Sequence, residues 1–334
     1  MAETAHQTIC VIIAAKNAAD TIGIAIQSAL NEAEVGEVVV VDDGSTDGTA
    51  EVAREADDGS GRLRVASFEK NRGPSAARNH AIAISGAPLI AILDADDFFF
   101  PGRFSPMLAE KGWDLIADNI AFIHEPAETL HPERFETRAK TMSLTEFVEG
   151  NISKRGVKRG ETGFLKPVIR RSFLEAHGLR YKEEMRLGED YDFYVRALAK
   201  GARYKVIEHC GYGAVVRQDS LSGRHRTEDL RKFYEADEAI LADPALGQDA
   251  RTVITRHRDH IRDRYELRAF LDVKSQAGLP AAVRHLLTRP QVLPAVVTGV
   301  FLDKLDLLRA KSSKAPPGPA PMRYLLPGIP AVQK

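Results

Sequence analysis

Two hydrophobic periodicities alternate through the first hundred residues. Ile9-Cys10-Val11-Ile12-Ile13-Ala14-Ala15 is an unbroken apolar run, the pattern of a strand buried on both faces. Ile22, Ala25, Ile26, Ala29 and Leu30 then recur at helical spacing behind Asp20, which suits a helix cap. Val38 to Val41 predicts a second buried strand, stopped by Asp42-Asp43-Gly44-Ser45-Thr46-Asp47-Gly48 and followed by a helix from Thr49 to Ala56. Leu63 to Phe68 predicts a third strand, Pro74 to Ser85 a helix closed by Gly86, and Leu89 to Leu93 a fourth strand ending in Asp94-Ala95-Asp96-Asp97. Such alternation predicts an α/β fold with a mostly parallel central sheet. Three of the strands deliver polar residues at their C-terminal ends, where open α/β sheets bind ligands.

Beyond residue 100 the pattern loosens. Trp113 to Ile123 reads as a further strand, and Ser172-Phe173-Leu174-Glu175 has capping-box spacing before a short helix ended by Gly178. A helix is expected from Asp190 to about Lys200, with Gly201 as its stop. From Glu228 to about Ala310 the chain reads as a helical extension, with Ile254, His257, Ile261 and Tyr265 on one stripe. Residues 312–334 hold six of the 17 prolines and read as an extended tail. The expected division is therefore 1–227 for the α/β domain, 228–311 for the helical region and 312–334 for the tail.

Composition adds little to this and excludes much. The 334 residues are 44% hydrophobic and 28% charged with a formal net charge of -1, which fits a globular chain and gives no global attraction to nucleic acid. Cys10 and Cys210 fall in strand-like segments without metal-ligand spacing, so a reducing cytoplasm is the expected setting. The run from Ile9 to Ala15 is too short for a signal-peptide core. Val292 to Leu302, broken by Pro294 and Gly299, falls short of the ~20 residues that span a bilayer. Charge matters locally: from Arg251 to Lys314 thirteen Lys/Arg face six Asp/Glu, flanking apolar helical patches. That region reads either as a solvated helical cover or as peripheral contact with an anionic cytoplasmic leaflet.

The chemistry-bearing feature is Asp94-Ala95-Asp96 after an apolar strand. Two carboxylates at a strand end can hold a hard divalent cation, which in turn clamps a diphosphate; by themselves they equally suit a solvated loop. Asp190 is a second candidate, since a carboxylate at a helix N-terminus is stabilised in its ionised form and can take a proton; a plain N-cap is the competing reading.

Five motifs in order carry a resemblance. V-I-I-A-A-K-N17, V-V-V-D42-D43-G-S-T-D47-G-T, N71-R-G-P-S-A-A-R78-N79, I-L-D94-A-D96-D97 and L-G-E189-D190-Y-D-F-Y-V-R196 match, over roughly residues 7–225, the order and spacing of the family 2 glycosyltransferases of the nucleotide-sugar-binding GT-A fold. Within that family the chain resembles bacterial exopolysaccharide enzymes, in particular succinoglycan glucosyltransferases. The resemblance implies an inverting enzyme that moves a hexose, glucose foremost, from a UDP-sugar to a saccharide acceptor, a lipid-linked exopolysaccharide repeat unit, with Mn²⁺ or Mg²⁺. It implies that Asp42 accepts from the uracil imide N–H and that the main chain at Ala14 meets the base and sugar. Asp94 then holds the ribose and takes part in the metal site, Asp96 holds the metal, and Asp190 is the general base, with Glu189 orienting the acceptor. Arg72 and Arg78 can approach the phosphates, although an ion pair serves Arg78 as well. Asp43 joins the donor set, but for Asp43 and Asp47 a helix cap explains the turn more simply.

Other residues receive structural readings. His209, His225 and His257 have no paired spacing and read as core or surface. Phe98 to Phe100 reads as packing beneath the acidic loop, and Tyr191 and Phe193 divide between core and acceptor contact. Arg217 to Ser222 resembles a family loop near the donor phosphates without its usual aromatic-Arg pair. Two rival functions remain at this stage. One is a metal-dependent phosphohydrolase with Asp94 as nucleophile and Asp96 as acid, which leaves the Asp42 turn unexplained; the other is a non-catalytic nucleotide- or carbohydrate-binding module.

Overall fold

Apolar runs and helical stripes alternate in the structure as they do in the sequence. This computed structural model describes residues 8–124, 131–133, 135, 138–153, 160–216, 226–312 and 322–326. The chain divides into two compact units, one formed by 1–220 with 321–334 and the other by 221–320.

The first unit begins with β1 (Ile9–Ala15), α1 (Ile22–Leu30), β2 (Val35–Asp42), α2 (Thr49–Glu55), β3 (Leu63–Ser67), α3 (Pro74–Ile84) and β4 (Leu89–Asp94). Its later elements are β5 (Phe98–Phe99), α4 (Phe104–Ala109), β6 (Leu115–Ile123), β7 (Ala139–Met142), α5 (Leu144–Glu149), β8 (Val168–Arg170), α6 (Arg171–Ala176), α7 (Glu189–Ala199) and β9 (Tyr204–Val215). The sheet runs β3-β2-β1-β4-β8-β6-β9-β5, with β7 also paired to β9. The first four strands are parallel, because each crossover is a helix. β8 then enters antiparallel to both β4 and β6, and β9 lies parallel to β6, so the sheet as a whole is mixed.

Three local readings change. The cap position of α1 is Thr21, not Asp20, and no side chain among the described residues caps it. Ser172 lies inside α6 rather than before it: β8 passes directly into the helix, and the Arg171 N–H donates to the Pro88 carbonyl (2.9 Å). The stretch 312–334 is not simply a tail. Arg323–Tyr324 forms β10, antiparallel to β6, with Leu325 buried and the Asn119 amide bridging the Leu326 N–H and carbonyl (2.8 and 2.9 Å). Met322 and Tyr324 pack against Phe100, Ala121 and Cys210 and draw this piece back, with Arg323 lying 4.0 Å over the Phe122 ring.

The second unit holds α8 (Thr227–Leu241), α9 (Gln248–Leu287) and α10 (Leu293–Ser312). Gly278, with φ of 81°, breaks α9 just before Pro280. Ile254, His257 and Ile261 of the expected stripe are buried, and His257 Nδ1 lies 2.6 Å from the buried Asp237 carboxylate. No helix among the described residues is long and apolar enough to cross a membrane.

Candidate active site

Parallel register brings three strand ends level. Ala14 of β1 lies between Val41 of β2 and Asp94 of β4, and Ala15 lies opposite Asp42. Ala14 is half-buried where its strand is otherwise buried. Asp42 is buried, and its carboxylate accepts from the Ser45 N–H (3.2 Å) at the head of the turn. That turn is knitted to the end of β1: the Asn17 N–H donates to Ser45 Oγ (2.8 Å), Asn17 Oδ1 accepts from the Thr46 N–H (3.1 Å), and Lys16 donates to the Gly44 carbonyl. Asn17 adopts φ of 48°, a left-handed conformation that asparagine tolerates.

Asp43 and Asp47 separate in role. Asp47 accepts from the N–H and hydroxyl of Thr49 (3.1 and 2.5 Å), anchoring the start of α2. Asp43 does not serve α2. Its two oxygens accept the N–H groups of Arg72 (2.6 Å) and Gly73 (2.9 Å), fastening the loop that leads into α3. The Arg72 side chain is exposed, lies 4.7 Å over the Phe68 ring and pairs with Glu183 (3.2 Å).

Arg78, Asp94, Glu189 and Asp190 form one cluster, joined by Lys166 from the segment before β8. Arg78 Nη2 donates to Asp94 Oδ1 (2.9 Å) and Nη1 to Glu189 Oε1 (3.0 Å). Lys166 Nζ bridges Asp94 Oδ2 (2.9 Å) and Asp190 Oδ2 (2.8 Å). Asp190 Oδ1 lies 3.3 Å from Arg78 Nη1, within ion-pair range, yet this buried atom has no aligned hydrogen-bond donor among the described residues. Asp190 is not the cap of α7; Gly188, with φ of 72°, occupies that position and Asp190 follows in the first turn.

The electrostatics follow from burial and from these partners. Burial would raise the Asp94 carboxyl, but Lys166 and Arg78 outweigh it and hold Asp94 well below the usual carboxylate range. Burial would lower Lys166, but Asp190 and Asp94 push it above its ordinary value. Glu189 is raised by burial and by Asp190, with Arg78 opposing. Asp97 is raised by burial and by Asp94 and Asp96, against hydrogen bonds from the Val215 N–H (2.9 Å) and the Tyr212 hydroxyl (2.8 Å). Tyr212 also accepts from the Asp94 N–H (3.2 Å), so it ties the acidic loop together.

Asp96 is half-buried at the same strand end. Among the described residues no group of three or more His, Cys, Asp or Glu forms a ready metal cage. The donor set nevertheless fits a divalent cation of the kind held by one or two carboxylates and completed by substrate phosphates.

Sequence reasoning did not find Lys166, Tyr212 or the pair beneath them. Arg103 is fully buried, pairs with Asp118 (2.9 Å) and donates to the Lys166 carbonyl (2.6 Å). Asp118 carried a signal, being a charge inside the apolar run Leu115–Ile123, which demands a buried partner. Tyr191 and Phe193 are core residues, the latter stacked on Tyr181 at 4.3 Å. Phe99 and Phe100 are buried, as packing below the acidic loop requires. His209 is half-buried, and its Nε2 is enclosed without a hydrogen-bond partner among the described residues. His225 and Arg217 to Ser222 lie outside the described residues.

A parallel α/β half that gathers acidic strand ends beside a helix-borne Glu-Asp pair defines a GT-A glycosyltransferase. Residues 10–176 match the family described as Glycosyl transferase family 2, and the chain belongs to that family. It is 60% identical over 332 residues to the succinoglycan biosynthesis protein ExoU of Rhizobium meliloti (strain 1021), covering 98% of this chain and 97% of that protein. It is 33% identical over 288 residues to the succinoglycan biosynthesis protein ExoO of the same organism, covering 84% of this chain and 82% of that one. Among solved structures it is similar in fold to S. aureus TarS 1-349 in complex with UDP-GlcNAc, at a TM-score of 0.60 and 20% identity over 86% of this chain and 81% of that one.

Proposed function

We propose that this glycosyltransferase moves a hexose, glucose foremost, from a UDP-sugar to a lipid-linked exopolysaccharide repeat unit, inverting the anomeric centre. The observation that carries the reading is Asp190 Oδ1, a buried carboxylate oxygen with no aligned donor among the described residues, close to the strand edge that would hold the donor. A buried acceptor atom left in this state suits a group that takes a proton from substrate. UDP-GlcNAc bound to TarS and the role of ExoU and ExoO in succinoglycan biosynthesis support the donor class and the setting.

In this reading Asp42 accepts from the uracil imide N–H, the main chain at Ala14 meets the base and sugar, and Asp94 receives ribose hydroxyls on the lone pairs its cations leave open. Asp43 serves the donor by holding the loop that carries Arg72, and Arg72 and Arg78 lie toward the phosphates. Asp96, with Asp94 behind it, would hold Mn²⁺ or Mg²⁺, which when bound neutralises charge on the leaving diphosphate. Glu189 orients the acceptor. Asp190 takes the hydroxyl proton as the acceptor oxygen bonds to the anomeric carbon and the bond from that carbon to the diphosphate breaks. One displacement of this kind inverts the configuration.

Incubation with UDP-glucose and Mn²⁺ tests the reading. UDP should be released, faster with a saccharide acceptor and in proportion to the new linkage. Release of inorganic phosphate instead would indicate the phosphohydrolase chemistry, and no release under any acceptor would indicate a binding module. Asp94, clamped by two cations at 2.9 Å, is a poor nucleophile, which disfavours the first of these.

A further inference from the structure

The apolar residues of the helical unit fall into two sets. Phe270, Ala282 and Val296 close a core with Leu267, Val273, Leu286 and Val300. Leu279, Val283 and Leu287 follow one another at four-residue spacing on the part of α9 beyond Gly278, and Leu293, Val297 and Phe301 do so on α10; all six are 43–76% exposed. Single exposed apolar side chains are ordinary on a protein surface, but two stripes on consecutive helices mark an interaction face.

Charge identifies the partner. From Val273 to Leu302 the sequence contains no Asp or Glu, while it carries Lys274, Arg284 and Arg289. Arg289 pairs with Glu266 (2.7 Å), whereas Lys274 and Arg284 are exposed. A second copy of this face would set cation against cation with no carboxylate to answer it. Anionic headgroups supply the missing charge, and the acyl boundary beneath them takes the apolar stripes.

We propose that the α9–α10 hairpin docks the protein on an anionic lipid bilayer, its two apolar stripes entering the headgroup boundary without spanning it. The proposal gains its purpose from the lipid-linked acceptor proposed above, but lipid binding is read without any turnover, so each can fail alone. Flotation of the full chain with vesicles is the test. The chain should float with phosphatidylglycerol vesicles at low salt, stay behind at high salt, and stay behind with phosphatidylcholine alone. The triple variant Leu287→Glu/Val297→Glu/Phe301→Glu should lose flotation while keeping its thermal unfolding and UDP affinity, since all three sites are exposed. Lys274→Glu/Arg284→Glu, which leaves the apolar stripes untouched, should bind at least about thirtyfold less at low salt. The proposal is overturned if the wild type never floats, if both variants float as it does, or if neutral vesicles capture it equally. It is also overturned if sizing shows a dimer that the triple variant dissolves while no lipid is bound.

Discussion

Lys166 is the residue on which the cluster turns, because it bridges Asp94 and Asp190 while Arg78 reaches Asp94, Glu189 and Asp190. Lys166→Met would leave one cation facing the buried Asp190 and the half-buried Asp94 and Glu189, and breaking the buried Lys166–Asp190 pair should lower stability by about 3–5 kcal/mol in urea unfolding. In the double variant Lys166→Met/Asp190→Asn part of that loss should return, since one uncompensated charge has gone; strictly additive losses would mean that the pair is not coupled. Asp94 predicts a pH dependence. Its carboxyl is depressed in the folded protein, so the stability it contributes is present above its ordinary value of 3.8 and is lost as pH falls through the depressed value. The difference in Tm between the wild type and Asp94→Asn should therefore be full from neutral pH down to about 3.8, shrink below it, and be gone once pH has passed the depressed value. Asp94 was legible because it ends an apolar strand and Asp190 because it opens a helix, while Arg78 and Glu189 were carried by the motifs of the family resemblance. Lys166 was not, since a lone lysine before a three-residue strand has no periodicity, and its partners come from β4 and α7.

Gly44 shows how elements hold the donor edge in place. It adopts φ of 67°, and a Cβ there would lie 2.9 Å from the Lys70 carbonyl carbon. Gly44→Ala should cost about 1–2 kcal/mol for the left-handed backbone alone. It should also push away the loop whose Arg72 and Gly73 N–H groups Asp43 receives, raising KM for the UDP-sugar more than it lowers kcat. An unchanged KM would separate this loop from the donor. Asp42→Ala acts on the same edge: loss of one charge-assisted bond to uracil should weaken UDP binding ~10–150-fold by calorimetry. Equal UDP and CDP affinities in the wild type would contradict the role of Asp42. The elements up to β4 were readable to within a few residues because β1, β2 and β4 each carry a buried apolar run that ends at a turn signal, while the short, half-exposed β3 lies between a turn and the Gly73-Pro74 start of α3. β5, β8 and β10, two or three residues long, exist through pairing with distant strands, which no local pattern records.

At the scale of the whole molecule, a formal charge of -1 conceals two opposed regions: an acidic strand edge that gathers Asp42, Asp94, Asp96, Glu189 and Asp190, and a carboxylate-free helical segment from 273 to 302. The division of labour proposed for them is that one performs transfer and the other holds the enzyme where its acceptor resides. Asp96→Ala should abolish metal-dependent UDP binding, read by calorimetry with and without Mn²⁺, while leaving the fold intact. The central claim, that Asp190 takes the acceptor proton, is tested most directly by the turnover of Asp190→Asn at saturating UDP-sugar and acceptor, with UDP affinity measured on the same preparation. The account predicts a fall in kcat of ~10²–10⁴ with UDP affinity nearly unchanged, because shape is kept and only basicity is lost. A folded variant that keeps more than about a tenth of the wild-type kcat would contradict it and place the base on another residue.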